Sequence, residues 1–596
     1  MTNSKSLVKL DDPAAPRARL VPVRGWLGLA LVLGAPPAAA QTPPAPVITV
    51  SHKLPTDIPG GAPNATLQQA AVFAWQEFIA LNWPAMAQNG EQGNRETADT
   101  TKFFSDPSYT SAKRPLVWHT YRGKVEIFPG YGVPPGSQVA NVLSPKLKNL
   151  NSPSAQPYFG YDALPSYVYG QTPIQPATTP GTTTPWINLD EKTQIGLDQI
   201  YAGVASANTQ GPGNQLLFLA KANRTEFDYL APLGWWNGPG GNVPFKATKE
   251  YIQQNQASPP AGSTQYVSFP SGTLELKAAW RKLAPTEDAS RFYTTTARYY
   301  VNNGGTPQYV DDTFALVALH IIHKTPSAPY FIFATFEQAD NITDVKGNPV
   351  EDEDGKFIGA PAPSAFSPGI VSRNATAGDF QRFSPEQSDV GAPLNQLYFV
   401  NTPASGLVEG TVLVNRRKHA IPRDVVLVNQ AAHQAIASYV QKNLPSGTKS
   451  PWMYYKLINV QSAPLGGKIP GSDYTNADAA TFYQANSVVE TDYNLQVFSG
   501  RFYQGTYQGL GNTITDFNAD GTPTVNVAHA GQGYNMGGCM GCHGNAQRSG
   551  ADFSFILLGG PVTAPDTVSV GTSGTGAKAP AGQGGSGSTL MQKMLR

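Results

Sequence analysis

Apolar and polar positions along this chain repeat with two different periods, and the expected elements follow from that. In 67-LQQAAVFAWQEFIAL-81, Leu67, Ala71, Ala74, Phe78 and Leu81 recur at the spacing of one helix face. Thr66 and Gln69 make a capping-box pair at its start, and Pro84 stops the run. A second helix is expected over 425-VVLVNQAAHQAIASYVQKNL-444, capped by Asp424 and closed by Pro445, and a short third one over 274-LELKAAWRKL-283. Three stretches read as strands. Two of them, 314-FALVALHII-322 and 330-YFIFATFEQ-338, flank 323-HKTPSAP-329 as in a hairpin or adjacent strands; the third is 452-WMYYKLINV-460. Residues 41–60 are Pro-rich and expected to be extended, 100–270 read as loops with short strands, and 351-EDEDG-355 reads as an exposed turn.

Composition adds a class to this pattern. Hydrophobic residues make up 40% of the 596 positions and aromatic residues 10%, enough for a large core. Charged residues are only 14%, against 59 Gly and 52 Pro, which favours long ordered loops over a helical bundle. The expected fold is α+β: one large, irregular, loop-rich domain over 41–560, with a candidate subdomain boundary near residue 270. The segment 561–596 is a Gly/Ser/Pro-rich tail expected to be disordered. The formal net charge is +1 and no basic patch stands out, so nucleic acid is not an expected partner.

Residues 1–40 have the layout of an export signal. Lys5, Lys9, Arg17, Arg19 and Arg24 precede the apolar run 25-GWLGLALVLGA-35, and small residues follow at Ala38 and Ala40. That run is too short to span a bilayer and no later stretch is long and apolar enough to do so, so the expected product is soluble and exported, periplasmic or otherwise.

The candidate chemistry is concentrated near the C-terminus. The chain has two cysteines, and both lie in 538-GCMGCHG-544. Cys539-x-x-Cys542-His543 is the attachment pattern of one c-type haem: two thiols add across the two vinyl groups, and the following imidazole is carried to the iron as proximal ligand. A zinc site needs further ligands that the sequence does not supply, and a thioredoxin-type pair needs a βαβ context. Only 53 residues follow His543, so the haem pocket must be built largely from upstream residues, with the haem near the C-terminal edge of the large domain.

For the opposite side of the iron the candidates are His323 and His320, then His529, Met536 and Met591; an open position is the alternative. His320 and His323 are three apart on a strand, so they face opposite sides and only one can point at the iron. Met540 lies between the cysteines and is excluded, while His119, His419 and His433 are expected to be structural. Asp516, Asn518 and Asp520, followed by Gly521, match the first half of a calcium loop, but Val527 stands where its last carboxylate belongs. Four Asn-x-Thr sequons occur, at Asn64, Asn223, Asn341 and Asn374.

The stretches 274-LELKAAWRKL-283, 319-LHIIHKTPSAPYFIFATFEQADN-341, 485-ANSVVET-491 and 538-GCMGCHGNAQRSGADFSF-555 together resemble a proteobacterial family of large exported mono-haem proteins of the cytochrome c type. The resemblance covers roughly 270–560. It implies covalent haem at Cys539 and Cys542, His543 as proximal ligand, and significance for His320 and His323 within an H-x-x-H-K-T-P segment. This chain departs from it at Tyr330–Phe333, where the family is Trp-rich, and at Gln338, where it often has His. The expected function is single-electron transfer between donor and acceptor proteins that the sequence does not name. The alternative is a haem oxidoreductase, peroxidase-like or oxygen-using; a gas-binding module is a third class.

Overall fold

The structure is a computed structural model. It describes residues 45–107, 114–129, 160–170, 183–192, 200–203, 215–303 apart from 241, 305–341, 351–356, 358, 396–399, 410–411, 420–467, 484, 486–489, 515–517, 523–525 and 538–568. Residues 1–40, expected to form an export signal, and most of the 561–596 segment lie outside that set.

The first elements are α1 (Leu67–Leu81), β1 (Arg122–Gly123), α2 (Lys124–Ile127), β2 (Ile187–Leu189), β3 (Ile200–Gly203) and β4 (Leu217–Ala222). Next come α3 (Arg224–Leu230), α4 (Phe245–Asn255), β5 (Leu274–Arg281), β6 (Thr294–Asn303), β7 (Thr306–Thr325) and β8 (Ala328–Gln338). Then follow β9 (Gln396–Phe399), β10 (Gly410–Thr411), α5 (Arg423–Asn443), β11 (Tyr455–Gln461), β12 (Thr515–Phe517), β13 (Pro523–Val525), α6 (Gly538–Arg548) and α7 (Phe555–Gly559). Eight strands form one mixed sheet in the order β1-β4-β5-β7-β6-β2, with β8 on β7 and β11 on β8. Its pairings are antiparallel except β2 with β6. Strands β4 and β5 pair across residue 270, the candidate subdomain boundary.

Strand β7 is the spine. Its first half pairs with β6 and its second half lies between β5 and β8. The apolar run 314–322 belongs to this second half, buried on both faces, and so reads as nearly continuous hydrophobicity. The expected β7–β8 pairing is present, with a tight turn after Thr325.

The segment 274–283 is not a helix but strand β5. Its Leu, Lys, Glu and Ala favour a helix in isolation. The L-E-L-K alternation has period two, however, and β4 and β7 pair with it from both sides, which overrides propensity. The third expected strand begins late: Pro451–Tyr454 is a 3-10 turn capped by Ser450, and pairing starts at Tyr455.

One face of the sheet is covered by α1 and α5. Thr66 Oγ1 accepts from Gln69 N at 3.2 Å and Gln69 Oε1 accepts from Thr66 N at 2.9 Å, so the capping box closes as the sequence indicates. Helix α5 starts at Arg423 after Pro422; Asp424 does not cap it but sits in its first turn, where its charge complements the helix dipole. Trp75 Nε1 donates to Asn429 Oδ1 at 2.7 Å and ties the two helices together. Phe78 stacks on Phe336 of β8 at 4.4 Å and meets Trp452 edge-on at 5.5 Å. Phe78 is fully buried. Phe78→Ala is therefore expected to cost about 3–5 kcal/mol in chemical denaturation. A loss below about 1 kcal/mol, the level of an ordinary surface change, would show that α1 does not anchor this core.

Candidate functional site

The two histidines of β7 part company as a strand requires. In the register, His323 lies beside Leu274 of β5 and Ile332 of β8; His320 lies beside Lys277 and Thr335. His323 faces α1. Its Nδ1 meets Glu77 Oε1 at 2.5 Å and its ring stacks on Phe73 at 6.0 Å. Burial pushes the Glu77 carboxyl above the usual carboxylate range, and His323 pulls it back. His323 thus closes a buried polar pair inside the core.

His320 is on the other face. Its Nε2 meets Thr335 Oγ1 at 3.2 Å, and Asn486 donates to the same hydroxyl at 3.2 Å and to Phe336 O at 2.9 Å. This face carries polar groups: Glu337 accepts from Ser487 N, and Gln461 Oε1 accepts from Met540 N of α6 at 2.9 Å. Helix α6 is thereby tied to the His320 side of the sheet.

Helix α6 contains the whole attachment motif. Positions 539, 542 and 543 fall within about one turn, on one side of the helix. Cys539 is half-buried, and Met540 is fully buried. His543 Nδ1 donates to Phe553 O at 2.6 Å. That bond fixes the tautomer and leaves Nε2 as the nitrogen able to bind a metal. The ring lies against Phe333 of β8 at 5.0 Å and Phe555 of α7 at 4.6 Å. Burial pushes His543 down to about 4, opposed by the Phe553 carbonyl and reinforced by Lys277. His320 is pushed down to about 3 by burial, by Lys277 and by His543 itself. Both imidazoles are held neutral, the form that coordinates metal.

The Phe553 carbonyl reaches His543 through an unusual turn. Gly550 has φ +85°, and a Cβ there would lie 2.3 Å from Phe245 O of α4, so only glycine fits. Asp552 and Phe553 follow with φ 50° and 66°, left-handed values that cost roughly 1–3 kcal/mol each outside glycine. The turn is held by Asp552, which accepts from Lys324 Nζ and from Phe269 N, both at 2.6 Å, and by the buried Phe553 ring against Phe331. Sequence patterning had not marked Asp552, Phe553 or Lys324 for any role. Their signal lay only in the DFSF and H-K-T-P stretches of the family resemblance.

The other candidates are dispersed. Asp516 lies in β12 opposite Thr524, while Asn518, Asp520, His529, Met536, Met591 and His419 lie outside the described residues. His433 bonds Asp354 Oδ1 at 2.7 Å and Tyr455 O at 2.9 Å; His119 is buried against Trp118 and Trp280. Both belong to the core, as expected. The 351–355 run is a turn in which Asp352 Oδ1 accepts from Asp354 N and Lys356 N. The sequon residues Asn223 and Asn341 are buried, with side-chain amides bonded to Gly272 O and Val317 O, so they are not surface acceptors for glycans. Among the described residues no helix is long and apolar enough to cross a membrane.

The residues present fit a covalently attached haem: the Cys539 thiol one helical turn from a neutral histidine, a fixed tautomer, and an aromatic wall. The chain matches no model of a known protein family, no curated protein and no solved structure.

Proposed function

We propose that this chain is an exported c-type cytochrome with one haem bound through Cys539 and Cys542, working in single-electron transfer. The observation that carries this is the His543 Nδ1–H to Phe553 carbonyl bond, because it does for an imidazole what an axial ligand needs. It holds the ring in one orientation, keeps Nε2 deprotonated, and makes that nitrogen a better electron donor. When bound, the haem supplies a metal that changes oxidation state by one electron without bond rearrangement. Phe333 and Phe555 pack against the imidazole, and a rigid site lowers the reorganisation that electron transfer demands. Gly550, Asp552 and Lys324 hold the turn that presents the carbonyl.

His320, not His323, is the second imidazole that would hold the iron. It shares the sheet face with α6 and is close enough to His543 for their charges to interact. His323 is committed to Glu77 on the opposite face. This reverses the order in which the sequence alone ranks them, because strand alternation says that the two diverge but not which face receives the motif.

Expressed in a host that matures c-type haem, the wild type should keep its colour through denaturation and acid-acetone extraction. Cys539→Ser/Cys542→Ser should lose all of it. Colourless wild-type protein with the mass of the bare processed chain would end the proposal. The reduced wild type should give the same spectrum with and without carbon monoxide, whereas His320→Ala should gain a carbon monoxide shift. His323→Ala should keep the wild-type spectrum and melt at lower temperature, since it leaves the Glu77 carboxyl buried without its partner. A carbon monoxide shift already present in the wild type, together with peroxide turnover, would move the assignment to a haem oxidoreductase.

A further inference from the structure

A group of buried carboxyls behind His543 has no role in attaching a haem. Glu226 of α3, Glu275 of β5 and Asp552 of the left-handed turn are all buried. The ammonium of Lys324 is bound to Asp552 at 2.6 Å. Among the described residues, both oxygens of Glu226 and Oε1 of Glu275 have no other hydrogen-bond partner, and the two carboxyls lie within hydrogen-bond reach of each other. Among the described residues no cluster of His, Cys, Asp or Glu is arranged to hold a metal ion. Two adjacent carboxylates in a dry site cannot both stay ionised, so the pair must share a proton.

The pair is wired to the histidine. Ser554 donates to Glu275 while accepting from Leu557 N at 3.1 Å as the cap of α7. Ser554 lies between Phe553, whose carbonyl holds His543, and Phe555, whose ring lies against it. Glu275 also shares its sheet face with Lys277, two residues along β5, which acts on His543 and His320.

We propose that the Glu226–Glu275 pair is a proton-binding site that couples electron transfer at His543 to uptake of one proton. The inference rests on the haem assignment above. One electron arrives from a single-electron donor and one proton from solvent; the added negative charge favours the protonated pair, and oxidation releases both. Burial holds Glu226 well above the carboxylate range, with Glu275 and Asp552 pushing further. Burial lifts Glu275 to about 7, against hydrogen bonds from Ser554 and Glu226. Asp552 is raised by burial and pulled back by Lys324, and does not exchange with solvent while that bond holds.

The test is a spectroelectrochemical titration of the full haem-loaded protein from pH 5 to 9. The midpoint potential is expected to fall as pH rises, approaching ~59 mV for each tenfold drop in proton concentration around neutrality, the one-electron equivalent of a factor of ten. Glu275→Gln and Glu226→Gln should each flatten the slope in this range while leaving the absorption spectrum unchanged. A pH-independent potential in protein with normal covalent haem overturns the coupling and leaves the haem assignment standing; protein without covalent haem overturns both. A slope kept in both variants assigns the proton elsewhere and overturns the pair. Should either variant fail to fold, redox-difference infrared spectra of the wild type decide. A protonated-carboxyl band that changes on reduction and shifts in D2O supports the proposal, and its absence refutes it.

Discussion

The alternation of strand β7 is the constraint on which the site depends. The second half of this strand has β5 on one edge and β8 on the other, so it cannot twist out of register without breaking two ladders. Consecutive side chains are therefore delivered to opposite faces with little freedom. One face meets α1 and becomes a dry aromatic core around Phe78, Phe336 and Trp75. The other carries His320, Thr335 and Lys277 and receives α6. A single strand thus supplies both the foundation of the fold and one wall of the candidate site.

The turn from Gly550 to Ser554 is the second constraint. Two non-glycine residues in left-handed conformation persist only where their surroundings over-determine them. Here a buried Lys324–Asp552 pair, an amide bond from Phe269 and the packed Phe553 ring supply that hold. The result is one carbonyl aimed at His543. The same turn delivers Ser554 to Glu275, so the element that orients the His543 imidazole also reaches the buried carboxyl pair.

Much of the fold can be read before any coordinates. The α1 capping box needs only Thr66 and Gln69 three residues apart, and it closes as read. The β7 and β8 strands follow from β-branched and aromatic runs broken by a Pro-containing turn. Segment 274–283 was misread because its composition favours a helix, while its partners β4 and β7 lie far from it in sequence or contribute only through long-range pairing. The helix entry lies two positions before Asp424, because Pro422 already sets it.

Local spacing by itself determined that Cys539, Cys542 and His543 fall within about one helical turn. It also determined that His320 and His323 diverge, since strand side chains repeat every two residues. Only the tertiary structure decided which of them shares a face with α6, which carbonyl receives the His543 proton, and that Glu226 meets Glu275 across 49 positions of chain. Those outcomes depend on which distant elements cover each face of the sheet, and burial against a remote partner leaves no periodic trace in the residues that it brings together.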